Sequence, residues 1–202
     1  MSSKRIGLTG NIGSGKSTVA RLLLEKGASL IDSDQLSRAA SQDPNVLETI
    51  AKKLGSDLIE NGQLRRDKTA ALVFNNPEAL KTLNGIIHPW VRRETEQQAR
   101  ELEKQAVPPQ IILFDIPLLY ENGLEGTVDA VIVVNSPLEL RIERVKKRSH
   151  LSEADIRARD KAQLPLEEKA RRADFVICND KGLDYLQRQV NDVWQKLTAP
   201  SA

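Results

Sequence analysis

The eight residues Gly10-Asn11-Ile12-Gly13-Ser14-Gly15-Lys16-Ser17 constrain this chain more than any other stretch. They form a complete G-x-x-x-x-G-K-S run between the strand-like Lys4 to Thr9 and a helical pattern that starts at Lys16 and carries Val19, Leu22 and Leu23 at three- and four-residue spacing. Glycines let the backbone turn tightly enough for successive N–H groups to converge on one anion. The helix that follows points its positive end at the same place. Lys16 adds a full charge for β- and γ-phosphates, and the Ser17 hydroxyl is a ligand suited to Mg²⁺. A match of this length arises by chance in roughly one chain in a hundred of this size. Asn11, Ile12, Gly13, Ser14, Gly15, Lys16, Ser17 and Thr18 are therefore the expected surround of a nucleotide's phosphates.

Gly27 ends the first helix, and 28–31 reads as a second strand running into Asp32-Ser33-Asp34. Strand, helix and strand within about 30 residues make a βαβ unit with parallel strands and a right-handed crossover. The stretch 35–109 changes character: it is polar and helical, with no convincing strand. Asn76-Pro77 opens one helix there, and His88-Pro89 is expected to interrupt it, with Pro89 opening the next. Strands return at 110–115 and 128–134 as near-continuous apolar runs, the pattern of parallel strands covered on both faces. Ser136-Pro137, Ser152 with Asp155, and Leu164-Pro165 mark three further helix starts. Phe175 to Cys178 is a last strand and Leu183 to Leu197 a closing helix. The fold class is α/β, a parallel sheet flanked by helices.

Composition narrows the partners. The chain has 202 residues, enough for one domain with insertions, and 30 Lys+Arg against 28 Asp+Glu, a balance that argues against bulk nucleic acid as partner. No apolar run approaches the roughly 20 residues that span a bilayer, no signal-peptide pattern precedes Lys4, and the single Cys178 makes no internal disulfide. A cytoplasmic protein is expected, monomeric or weakly self-associating, with Cys178 as a small buried hydrophobe.

Phosphate binding leaves two reaction classes open: γ-phosphoryl transfer to a small molecule, or hydrolysis that drives a switch or motor. No Asn-Lys pair is present for guanine reading, and the helical 35–109 stretch suits an acceptor pocket. Asp34 lies just past the end of the second strand, where open α/β sheets place ligands, and can take or orient an acceptor hydroxyl; capping the next helix is the alternative for it and for Asp32. Asp115 ends the strand Ile111-Ile112-Leu113-Phe114-Asp115 and can hold Mg²⁺ through water, or simply face solvent. Glu121 on the same rim is either an acceptor contact or an exposed helix charge. Arg141, Arg144 and Arg148 share one helix face. From Arg141 to Arg172 there are 11 Lys+Arg and 6 Asp+Glu, an excess that reads as a solvated face, as a lid over a triphosphate led by Arg144, then Arg148 and Arg159, or as a nucleic-acid patch, against which stands the lack of an aromatic platform. His88 is an ordinary turn histidine or a substrate contact.

Taken in order, these segments resemble the dephospho-CoA kinases over nearly the whole chain. Gly7 to Ser17, Ile31-Asp32-Ser33-Asp34, His88-Pro89 with Val91-Arg92, Pro117-Leu118-Leu119-Tyr120-Glu121, then Gln163, Lys169, Ala173-Asp174, Ile177 and Asn179 follow that family's order and spacing. The resemblance implies a P-loop kinase with core 1–34, 110–137 and 174–202, a helical acceptor-binding part at 35–109 and a lid at 138–173. It implies ATP and dephospho-CoA as substrates, Mg²⁺ as cofactor, transfer to the ribose 3′-hydroxyl, and neither nucleic acid nor membrane as partner. Lys16, Asp34 and Arg144 are then the catalytic set, Arg144 and Arg148 nucleotide contacts, Arg66, His88 and Glu121 acceptor contacts, and Ser17 with Asp115 the metal side. Three departures stand out: Ala70-Ala71 replaces a second Leu-Arg pair after Leu64-Arg65-Arg66, Arg141 stands where the family usually has Gln, and Ser149 where it usually has Asp after the lid arginine.

Overall fold

A computed structural model describes residues 3–74 and 76–199. Its elements in chain order are β1 (Lys4–Thr9), α1 (Lys16–Leu24), β2 (Ser29–Asp32), α2 (Ser33–Ala40), α3 (Pro44–Leu54), β3 (Ile59–Glu60), β4 (Gln63–Leu64), α4 (Arg66–Phe74), α5 (Pro77–Glu103), β5 (Ile111–Asp115), β6 (Ala130–Asn135), α6 (Leu138–Arg148), α7 (Glu153–Lys161), α8 (Leu166–Arg172), β7 (Phe175–Cys178) and α9 (Leu183–Thr198). The chain forms two compact units, one of residues up to Ile31 and from Leu102 onward, the other of Asp32–Glu101.

The first unit is built on a sheet ordered β2-β5-β1-β6-β7, in which β1 runs parallel to β5 and β6, and β6 parallel to β7. The apolar runs of β5 and β6 are buried almost throughout because both sheet faces are covered. Val19, Ala20, Leu22 and Leu23 of α1 and Leu186, Val190, Val193 and Leu197 of α9 pack on Ile6, Leu8, Leu113, Ile132 and Val134 of the sheet. Neighbouring strands leave β1 in opposite directions, so the carboxyl end of β1 lies at the switch point where such sheets open a crevice. Asp115 is registered beside Leu8, two residues before Gly10.

The second unit has its own core, with Val46, Ile50, Leu58 and Leu83 surrounded by Ile59, Leu64, Ile86, Ile87 and Trp90. Two expectations fail here. The region does contain strands: β3 and β4 pair antiparallel around Asn61-Gly62, both at positive φ, the two-residue turn that Asn-Gly favours. Pro89 does not interrupt the helix either. It lies inside α5, which runs unbroken from Pro77 to Glu103. Proline removes one ladder bond and crowds the carbonyl four residues back, which belongs to Gly85, while Leu83, Ile86, Ile87 and Trp90 around it are anchored in the core. The Asn76 cap does form, Oδ1 accepting the Ala79 N–H at 3.0 Å.

Elsewhere the helix signals divide. Ser152 and Asp155 make the expected capping box on α7. Ser136 caps nothing: it is buried, and its hydroxyl accepts from Arg144 instead. Cys178 is half-buried and free.

Candidate active site

The phosphate loop leaves β1 at Thr9, turns through a Ser14 N–H to Asn11 C=O bond of 3.0 Å and enters α1. Gly15 caps that helix at φ 94°, and a Cβ there would lie 2.1 Å from Asn179 Nδ2, so only glycine fits both the backbone and the neighbour. Thr18 and Val19 donate their N–H groups to the Gly15 carbonyl. Among the described residues, the N–H groups of Gly13, Gly15, Lys16 and Ser17 have no protein acceptor. Four unspent donors at a helix start form an anion cradle.

Other polar groups of the loop serve its own support. Asn11 and Ser14 are almost wholly buried. Asn11 Nδ2 donates to Asp160 Oδ1 at 2.9 Å and to the Leu164 carbonyl at 3.2 Å, while the Ile12 N–H goes to Gln163 Oε1 at 2.9 Å. The Ser14 carbonyl accepts from Asn179 Nδ2 at 2.8 Å. Of the expected nucleotide set, Gly13, Gly15, Ser17, Thr18, Arg144 and Arg148 line one open cavity of about 280 Å³ with Asn179, Leu183 and Leu186. Asn11, Ile12, Ser14 and Lys16 are not among its lining.

Lys16 Nζ lies 3.3 Å from Asp115 Oδ1, with both side chains about five-sixths buried. Asp115 therefore faces the loop and not solvent. The Ser17 hydroxyl is exposed and has no protein partner among the described residues. These are hard oxygen donors beside an anion cradle, and no group of three or more His, Cys, Asp or Glu gathers into an all-protein cage among the described residues. That donor set fits Mg²⁺, which keeps waters and substrate phosphates among its ligands.

The arginines of α6 are not one uniform lid face. Arg141 is buried and ion-pairs with Asp160, its Nε donating to the Ser136 carbonyl at 3.0 Å and its Nη1 to the Ile12 carbonyl at 3.3 Å. Arg144 donates to Ser136 Oγ at 3.1 Å and to the Asn179 carbonyl at 2.8 Å, yet still lines the cavity. Arg148 and Arg159 are exposed. Glu121 is not an exposed helix charge: it pairs with the fully buried Lys169 at 2.8 Å and accepts the Leu164 N–H at 2.9 Å.

Within the second unit, Asp32 is the cap of α2, accepting the N–H groups of Asp34 and Gln35 at 2.8 and 3.1 Å. That relieves Asp34 of capping and leaves its carboxylate exposed in the first turn. Arg66 is exposed at the start of α4, whereas Arg65 is taken up by Asp67 and Glu60. His88 lies mid-helix in α5 and not in a turn; burial, then the Arg92 charge, holds its pKa below the ordinary value.

Sequence reasoning assigned no role to Asp160, Gln163, Lys169 or Asn179. Asn179 had a signal, since a polar residue just past a parallel strand's carboxyl end is placed like a ligand residue. The Arg141–Asp160 pairing had none, because nothing in one sequence marks which charges meet across 19 positions.

A family model for dephospho-CoA kinase matches residues 4–184. The dephospho-CoA kinase of Deinococcus radiodurans is 44% identical over 194 residues, 96% of this chain and 92% of its own. Among solved structures, TT1252 from Thermus thermophilus superposes with a TM-score of 0.86 at 40% identity, covering 98% of this chain and all of that one. A dephospho-CoA kinase from Campylobacter jejuni does so at 0.71 and 28% identity over 96% of each chain. The unspent amides at the end of β1, the Lys16–Asp115 pair beside them and the match across nearly every element lead to one assignment: the chain belongs to the dephospho-CoA kinase family.

Proposed function

We propose that this protein transfers the γ-phosphoryl of ATP to the ribose 3′-hydroxyl of dephospho-CoA, giving CoA. The observation that carries the reading is the cradle of unspent N–H groups at Gly13, Gly15, Lys16 and Ser17 with a charged lysine at its edge. Such donors stabilise the charge spread over the equatorial oxygens of a transferring phosphoryl group, which is most of what an enzyme supplies to this reaction. Lys16 exchanges Asp115 for the β- and γ-phosphates on nucleotide binding. Ser17 and Asp115 would hold Mg²⁺, which screens the triphosphate's charge. Arg144 and Arg148 bound the cavity in which the rest of the nucleotide lies. Asp34 orients or deprotonates the acceptor hydroxyl, and Arg66, His88 and Glu121 serve acceptor binding. Work in the cytoplasm, as a monomer or weak homo-oligomer, goes with a single free cysteine and with no described helix long and apolar enough to cross a membrane.

The test is ADP release from Mg·ATP with and without dephospho-CoA at matched enzyme concentration, with the product identified. Strong stimulation with CoA as product is expected. Tight ATP binding without stimulation would retain the cradle and reject the acceptor.

A further inference from the structure

The first half of the phosphate loop is held from outside by the end of α7, the link from α7 to α8, and Arg141 of α6. Asp160, the next-to-last residue of α7, holds Asn11 Nδ2 with one carboxylate oxygen and ion-pairs with Arg141. Arg141 in turn donates to the Ile12 carbonyl. Gln163 accepts the Ile12 N–H at 2.9 Å, and the Leu164 carbonyl accepts from Asn11. The Ile12 side chain packs with Ile142, Val145 and Ile156, so the same turn is gripped on its apolar side. Both polar groups of the Ile12 backbone are thus consumed by residues about 130 to 150 positions later in the chain. Asp160's carboxyl is pushed up by burial, but hydrogen bonds from Arg141 and Asn11 outweigh this and hold it below the usual range, so the brace stays charged at neutral pH.

A phosphate loop whose amides must already converge when the anion arrives benefits from such external restraint. Ordering the loop on binding would otherwise subtract from affinity. We infer that Gln163, with Asp160 and Arg141 acting through Asn11 and Ile12, is a positioning residue that presets the loop for the triphosphate. This inference rests on the phosphate-site reading above. It differs from a lid role, because none of these three side chains lines the nucleotide cavity. It also gives Arg141 a place that a helix-face reading does not: the guanidinium fills the gap between the loop's outer carbonyl and Asp160.

Gln163 is only half-buried, so Gln163→Leu removes the acceptor while leaving the fold's core untouched. The experiment measures binding of inorganic tripolyphosphate with Mg²⁺, binding of adenosine, and thermal stability, for the full wild-type chain and for Gln163→Leu. Expected is a three- to tenfold weaker tripolyphosphate affinity (about one hydrogen bond's worth) with adenosine binding unchanged and Tm within a few degrees. Equal tripolyphosphate affinity in the two proteins overturns the inference, and so does a parallel loss of both ligands, which marks a merely structural residue. Failure of wild type to bind tripolyphosphate rejects the phosphate site itself and the brace with it, and is distinguished by appearing before any substitution. Asp160→Asn with Arg141→Gln gives a second line. This uncharged pair keeps an amide acceptor for Asn11, so tripolyphosphate affinity nearer to wild type than with Asp160→Asn alone is expected, and affinity no better than the single variant's contradicts a brace through Arg141.

Discussion

Replacing Lys169 by Met tests whether the interior behind the phosphate loop is held together by one ion pair. Lys169 is fully buried, with Nζ 2.8 Å from Glu121 Oε1 and 3.4 Å from the Pro117 carbonyl. Methionine matches its length and loses the charge. Glu121, five-sixths buried, would keep only the Leu164 N–H as partner. Removing one member of a buried pair costs about 3–5 kcal/mol because the other charge is stranded. The lower end applies here, since Glu121 keeps a hydrogen bond and some solvent. For a chain of this length, about 3 kcal/mol lowers Tm by about 6–12 °C. Thermal unfolding of Lys169→Met, Glu121→Gln and the double variant closes a double-mutant cycle. Glu121→Gln strands the fully buried Lys169 ammonium in its turn, whereas in the double variant the introduced amide oxygen still accepts from the Leu164 N–H and no charge is stranded, so the double variant should recover about 2 kcal/mol relative to the sum of the singles. Additivity within about 0.5 kcal/mol, or a Lys169→Met midpoint within a degree or two of wild type, would refute the coupling.

Gly15→Ala should lose nucleotide binding and about 2–3 kcal/mol of stability, the left-handed backbone costing about 1–2 kcal/mol and the displaced Asn179–Ser14 bond about 1 more; calorimetry showing normal ATP affinity would contradict the packing at that glycine. Asp34→Asn should lower kcat about 10²–10⁴-fold with ATP affinity unchanged, and equal weakening of ATP binding would remove it from the acceptor side. His88 takes its proton more readily in the unfolded chain, whose value is about 6.5, than in the folded one. Stability is therefore full above that pH and falls as pH drops through it; Tm measured from pH 8 to 5.5 should fall less in His88→Gln than in wild type, and identical profiles would exclude His88 as the source.

The central sheet and the phosphate loop were legible because their causes are local. Apolar runs at 111–115 and 130–134, glycines that permit one tight turn, and Lys-Ser at a helix start act over a few residues, and the structure places them as read. The β3–β4 hairpin was missed: Asn61-Gly62 is a turn signal, but strands of two residues carry no alternation to notice. Pro89 misled because local proline chemistry was outweighed by the core contacts of Leu83, Ile86, Ile87 and Trp90.

The sequence by itself determined that this chain builds an anion-binding turn on a parallel α/β sheet, and the order of its motifs marked the family. Only the tertiary structure decided what each charge does. Arg141, Arg144 and Arg148 share one helical spacing, yet one is buried against Asp160, one holds Asn179 and lines the cavity, and one stays exposed. Their partners come from α7 and from the end of β7, and Coulomb and hydrogen-bond energies act at a few ångströms whatever the separation along the chain. A helical period states which way a side chain points; the fold states what it meets there.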